Sequence, residues 1–363
     1  MPPISVMIKP VSGACNLRCR YCFYADVMNH REEKLHPRMT LDTLERTVRR
    51  VMAYADGSVT FVFQGGEPTL IGLPFFEALL KFQHMYNPRR IPITNAVQTN
   101  GYDLPDDLVA FFAREKFLIG VSLDGDCIAH DAMRPAPDGS GTYQRVRENV
   151  ARLQAAGVEH NILCVVNEHV ARRADEVLDA LFEHEHLQLI ACLDDLDGTT
   201  REWSLSDASH LTFLKKAFDR YEAAYRAGKP VSIRNFDNYI GIMMGRPPEN
   251  CAMGGHCNHQ IVIEGDGSVY PCDFYVLDEW RSGSINESSV KGLLKSESAQ
   301  RFIAESLPVP EKCRACRWYR LCRNGCRRER NADGLNRWCG VMSEFFEYSA
   351  ERMLRMAQSL SRR

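Results

Sequence analysis

No run in this sequence approaches the roughly 20 consecutive apolar residues that a membrane-spanning helix requires, which argues against a chain built around such helices. Charge of either sign is not in excess. With 45 Lys and Arg against 47 Asp and Glu the formal net charge is -2, so the whole molecule is no electrostatic trap for nucleic acid or an anionic membrane. Low-complexity stretches are also missing, and 45% apolar with 25% charged residues is the composition of an ordinary globular protein. The opening MPPISVMIKP lacks the apolar stretch of a secretion signal. The expectation is a soluble, cytoplasmic monomer with no membrane or nucleic-acid partner.

Cysteine, by contrast, is abundant. Fourteen thiols in a chain with no export signal point to metal ligation rather than disulfides. Three lie in GACNLRCRYCFY, where Cys15, Cys19 and Cys22 are spaced C-x3-C-x2-C, and eight lie between Cys251 and Cys339. Cys127, Cys164 and Cys192 are scattered, and each is expected to be a small buried hydrophobe.

The first 200 residues alternate short β-branched runs with longer amphipathic ones, as repeated βα units around a parallel sheet would. Strands are expected at 4–10, 58–63, 93–99, 117–123, 160–166 and 187–193. Between the first two, Leu41, Leu44, Val48, Val51, Met52 and Ala55 mark one helical face, stopped by Gly57. Six such units suggest an α/β fold, a partial (β/α)6 version of the eightfold barrel, with chemistry on the loops after the strands. CNLRCRYC follows the first strand, QGGEP the second and QTNG the third, while SLDG ends the fourth. A long helix is expected over about 207–227, then a cysteine-rich region with a hairpin turning at Asp266-Gly267, then a closing helix over about 343–358. These features suggest a barrel over 1–240, a cysteine-rich domain over 241–342 and a terminal helix over 343–363.

Three thiolates on one loop suit zinc or an iron-sulfur cluster. Zinc would need a fourth ligand, and His30 is the nearest histidine. Three thiolates on a 4Fe-4S cube would instead leave one iron open to something reactive. The motif after a first strand, with Tyr21 before its last cysteine, resembles the loop of the radical S-adenosylmethionine (radical SAM) enzymes, whose unique iron chelates the amino and carboxylate groups of SAM. Gly65, Gly66 and Glu67 resemble that family's GGEP stretch, whose backbone meets the SAM amino group; glycine lets a main chain approach a ligand closely. The resemblance also implies cofactor contacts for Tyr21, Ser122, Arg134 and Leu193. Asp126-Cys127 stands where relatives often carry proline.

The eight later cysteines could close two zinc ribbons. Beside a radical SAM loop they resemble the SPASM extension with two auxiliary 4Fe-4S clusters. The resemblance implies Cys251, Cys257, Cys272 and Cys326 for one cluster, and Cys313, Cys316, Cys322 and Cys339 for the other. Spacing alone leaves the sharing open. A basic stretch runs from Lys312 to Arg330, for which cluster charge and solvation are a simpler account than an RNA surface.

FQGGEPTL, NILCVV, VSIRNFDN, DGSVYPCDFYVLDEWRSGSI and CRWYRLCRNGCRR together resemble the anaerobic sulfatase-maturating enzymes over nearly the whole chain. The resemblance implies oxidation of a cysteine or serine in a sulfatase C/S-x-P-x-R motif to Cα-formylglycine, started by a 5'-deoxyadenosyl radical that removes a Cβ hydrogen. It further implies three 4Fe-4S clusters, SAM, a sulfatase polypeptide in unfolded or peptide form, and an external electron donor such as flavodoxin or ferredoxin. Proton transfer from a thiol to a carboxylate is uphill by roughly 6 kcal/mol in water, so a base in a special setting is needed. Asp273, beside Cys272, is the candidate, with Tyr24 and Gln64 orienting the substrate side chain and Arg234 and Asn235 helping to hold the peptide. Two rivals stand: a SPASM enzyme cross-linking a ribosomal peptide, and a non-catalytic zinc-binding interaction protein.

Overall fold

The computed structural model describes residues 3–361. Each strand forms where the alternation of apolar residues placed it, within two residues: β1 (Ile4–Ile8), β2 (Val59–Phe63), β3 (Ile93–Thr99), β4 (Leu118–Ser122), β5 (His160–Val166) and β6 (His186–Ala191). Four shorter strands follow, β7 (Ser232–Ile233), β8 (Ile261–Ile263), β9 (Ser268–Tyr270) and β10 (Gly283–Ser284). The chain divides into two compact units, Met1–Ser122 with Met133–His160 and His259–Phe302, and Leu123–Ala132 with Asn161–Asn258 and Ile303–Arg363.

In the first unit β1 pairs parallel with β2 on one side and β8 on the other, and β2 to β3 to β4 continue in parallel. Val6 and Ile8 are therefore sealed from water. The Asp266-Gly267 turn forms as expected, with Gly267 at φ 88° and Val262 opposite Tyr270. Residues 259–302 thus group with the opening strand, a division that an expected boundary at 240 does not reproduce. Short-range composition marks where cysteines begin; it carries no sign that β8 adds to β1.

The helix Leu41–Tyr54 is capped by the Thr40 hydroxyl, which accepts from the Thr43 amide at 3.1 Å. Leu44, Val48, Val51 and Met52 are buried, whereas Leu41, in the first turn, is 51% exposed. Phe63 at the end of β2 meets Phe76 edge to face, Phe76 meets Phe112 and Phe117 in the same way, and the last two are tilted against each other, with ring centroids 5.1–6.0 Å apart.

In the second unit β5, β6 and β7 run parallel. Phe218 of the helix Asp207–Arg226 packs on Phe236 and on Phe345 of the last helix, Cys339–Ser361. That last helix starts earlier than its apolar spacing suggests and carries Cys339 at its first position. Cys164 and Cys192 are buried as expected; Cys127 is exposed, because it opens a one-sided surface helix, Cys127–Met133. Among the described residues no helix is long and apolar enough to cross a membrane.

Removing the central ring of the phenylalanine cluster tests this packing. Phe76→Ala should cost about 3–5 kcal/mol in denaturant unfolding of the reconstituted protein; a loss under 1 kcal/mol would mean that the cluster does not hold the sheet.

Candidate active site

None of the fourteen cysteines is in a disulfide. The three-cysteine loop between β1 and the helix Phe23–Asn29 is shaped by its neighbours in the first unit. The Gly66 amide donates to the Ser12 carbonyl at 2.7 Å and the Glu67 amide to the Ala14 carbonyl at 2.8 Å, which docks the GGEP turn on the loop. A Cβ on Gly66 would lie 2.1 Å from the Ala14 carbonyl oxygen, and Gly65 adopts φ 125°, so both glycines are required by the approach. On the other side the Arg18 and Arg20 amides donate to the carbonyls of Pro135 and Met133, each at 2.9 Å.

Glu67 is buried, and burial raises its carboxyl against the hydrogen bonds that oppose the shift. Both its oxygens are taken up by the protein: Oε1 accepts from Thr69 and from the Thr99 hydroxyl at 2.8 Å, and Oε2 from the Asn100 amide at 2.7 Å. Its side chain therefore fixes the turn to the end of β3. Asn100 in turn reaches Cys15 Sγ at 3.6 Å. Arg134 is buried, 4.0 Å from Cys19 Sγ, with its guanidinium over the Tyr21 ring. Ser122 closes β4, where its hydroxyl accepts from Gln98 at 3.4 Å.

Burial raises the thiols of Cys15 and Cys22, and Glu67 and Cys22 raise Cys15 further. Thiolates in that setting call for a positive charge, and three cysteines on one short loop are a soft donor set. His30 is turned elsewhere: its Nδ1 is 2.9 Å from the Asp26 carbonyl oxygen and 3.2 Å from the Asp26 carboxylate.

Asp273 lies in the same unit, 7% exposed, one residue after Cys272. Gln64 donates to its Oδ2 at 2.8 Å, and the Lys9 ammonium is 2.5 Å from its Oδ1. Gln64 and Asp273 are thus brought together, and Lys9, fully buried at the end of β1, joins them without having been expected. Tyr24 is placed differently from the expectation. Its hydroxyl donates to Glu264 while its ring lies 3.8 Å beneath the Lys9 ammonium, so it touches the acid through a lysine. The one available signal was a lone lysine ending the apolar run ISVMI.

The later cysteines of the second unit fall into two neighbourhoods. Burial pushes Cys322 up to about 11, with Cys339, Cys313 and Cys316 adding to it. Burial likewise pushes Cys326 up to about 12, with Glu329, Cys251 and Cys257 adding to it. Arg323, Asn324 and Gly325 all take positive φ, and this tight turn sends Cys322 and Cys326 to different neighbours. Leu193, half-buried, follows β6. Asn235 donates to the Leu189 carbonyl and Arg234 to Gln188, so both side chains bind β6. The basic stretch is largely paired, Arg317 with Glu347, Arg327 with Glu305 and Arg330 with the Ser306 carbonyl.

Gly66→Ala should lower stability by roughly 1–3 kcal/mol through the clash with Ala14, read by denaturant unfolding; an unchanged midpoint would show that the two loops do not touch.

Residues 10–181 match the Radical SAM superfamily, and residues 251–317 match an iron-sulfur cluster-binding domain, SPASM. The chain is 40% identical to the cysteine-type anaerobic sulfatase-maturating enzyme of Clostridium novyi, over 100% of both chains. It is 29% identical to the serine-type enzyme of Bacteroides thetaiotaomicron, over 99% of this chain and 92% of that one. Native anSMEcpe with bound AdoMet and Kp18Cys peptide superposes with a TM-score of 0.94 at 40% identity, covering 99% of this chain and 100% of that one. Streptococcus suis SuiB bound to precursor peptide SuiA shares the fold at a TM-score of 0.63 and 16% identity, over 92% and 75%. Docked glycine turn, three-cysteine loop and full-length identity together make this chain a member of the anaerobic sulfatase-maturating enzymes, with a partial (β/α)6 radical SAM barrel and a SPASM extension.

Proposed function

We propose that the protein oxidises the cysteine of a sulfatase C-x-P-x-R motif to Cα-formylglycine. The observation that carries the reading is a buried carboxylate, Asp273, held by Gln64 and Lys9 directly after a cluster-type cysteine. Identity of 40% with cysteine-type relatives against 29% with a serine-type one favours a thiol substrate. The likeness to SuiB, at 16% identity, is one of fold alone and does not favour peptide cross-linking.

Cys15, Cys19 and Cys22 would hold a 4Fe-4S cluster with SAM on its open iron, flanked by Tyr21, Gly65, Gly66, Glu67, Ser122 and Arg134, with Leu193 on the adenine side. Cys251, Cys257, Cys272 and Cys326 would hold a second cluster, and Cys313, Cys316, Cys322 and Cys339 a third. When bound, these groups supply the radical that removes a hydrogen from the substrate Cβ and the acceptor for the electron left behind.

The chain's own task is then to take a proton from the substrate sulfur. Asp273 receives it. Lys9 supplies the counter-charge that a buried carboxylate requires, and Gln64 fixes the plane of the carboxylate by its bond to Oδ2. At 7% exposure the acid meets little water that could compete with the thiol. The substrate enters as an unfolded or peptide segment, and an external donor such as flavodoxin or ferredoxin supplies electrons to a cytoplasmic monomer.

Anaerobic reconstitution with SAM, reductant and a C-x-P-x-R peptide, followed by mass spectrometry, tests the reading. Removal of hydrogen, proton and electron leaves a thioaldehyde that water hydrolyses to formylglycine and hydrogen sulfide, so the product has lost its sulfur, whereas a thioether product would retain it and overturn the proposal. Asp273→Asn should still release 5'-deoxyadenosine while aldehyde yield falls by about 10²-fold or more; undiminished aldehyde would take Asp273 out of the mechanism. Changing Cys15, Cys19 and Cys22 together to Ala should remove about a third of the bound iron, and a protein keeping all its iron would contradict the three-cluster count.

A further inference from the structure

Lys9 has four rotatable bonds and no exposure to water, yet its ammonium is aimed at one carboxylate oxygen. Something has to keep it there. The Tyr24 ring lies against its other side at 3.8 Å, an arrangement that favours the cation over the ring face. What fixes the ring is its hydroxyl, which donates to Oε1 of Glu264 in the turn after β8. Glu264 is itself completely buried, and Arg31 Nη1 donates to the same Oε1 at 3.2 Å. Arg31 is anchored by the Ser12 hydroxyl at 3.1 Å and the Lys34 carbonyl at 2.9 Å. Arg31 Nη1 also donates to the Tyr24 hydroxyl at 3.3 Å, so Arg31 and Glu264 together hold the tyrosine, and Lys9 and Asp273 continue the buried row on the far side of its ring.

We propose that Glu264, braced by Arg31, is a positioning residue for the oxidation: through Tyr24 it holds Lys9 on Asp273. The inference rests on reading Asp273 as the proton acceptor. A plain structural role for the Glu264 and Arg31 ion pair would stabilise the fold without passing through Tyr24. The two differ in what a second substitution does. If Glu264 acts by way of the tyrosine hydroxyl, removing that hydroxyl first leaves Glu264 nothing to act on. Glu264→Gln keeps a side-chain oxygen that accepts from Tyr24 and Arg31, so it is a mild change beside Glu264→Leu.

The test uses the reconstituted enzyme and variants Glu264→Leu, Glu264→Gln, Tyr24→Phe and the Tyr24→Phe pairs. Aldehyde formed per 5'-deoxyadenosine should fall about 10²-fold in Glu264→Leu, as expected for a misplaced acceptor. Glu264→Gln, which still accepts a hydrogen bond, should lose no more than roughly tenfold. Adding either change to Tyr24→Phe should lower the ratio no further. A second readout needs no turnover: acylation of Lys9, mapped by peptide mass spectrometry against exposed Lys116, should speed up about tenfold or more in Glu264→Leu. Losses that multiply in the double variants, or a Lys9 as protected as in the parent, would overturn the proposal. If Glu264→Leu does not fold, the Glu264→Gln and Tyr24→Phe cycle decides. If the parent makes no aldehyde, the proposed activity fails while Lys9 labelling still judges the positioning.

Discussion

A lysine ammonium sealed from water has to be met by negative charge, because an unpaired buried ion costs several kcal/mol. In this protein Lys9 is that ion and Asp273 its partner. The pair joins residues 264 positions apart in sequence, the end of the first strand and the residue after Cys272. The strand order is consistent with it: β8 pairs parallel with β1, Val6 opposite Ile261, and the hairpin that carries Glu264 and leads to Asp273 follows directly. Asp273 opens a short turn, Asp273–Tyr275, three residues beyond the end of β9.

The same loop is fixed a second time by glycine. Gly66 touches the Ala14 carbonyl where a side chain would not fit, and Glu67 turns its carboxylate inward to bind the end of β3. Local shape and buried charge therefore act on one segment from opposite sides.

Much of this was legible in the sequence. Six strands, the Asp266-Gly267 hairpin and the long helix at 207 were readable because alternation and turn chemistry are local. The cysteines and GGEP were readable because few other functions need those residues so spaced. Lys9, Arg31 and Glu264 were not, since a lone charge in a sequence reads as solvated and its partner lies more than 200 residues away. Tyr24 was singled out as a substrate-orienting residue, and nothing local in the sequence shows that its hydroxyl turns to Glu264. Cys127 was misjudged by residue type, because the usual burial of cysteine gave way to its place at the start of a surface helix. The turn at Arg323, Asn324 and Gly325 separates two cysteines only four positions apart, which spacing could not reveal.

Everything chemical in this account requires that the loop of Cys15, Cys19 and Cys22 leave one metal position to a small molecule. Electron-nuclear double resonance on the reduced, reconstituted protein, with SAM carrying 15N at its amino group, addresses that requirement directly. The account expects a nitrogen coupling to the cluster that appears with SAM and is lost when Cys15, Cys19 and Cys22 are replaced. A cluster signal unchanged by labelled SAM, or an iron-free protein, would contradict it.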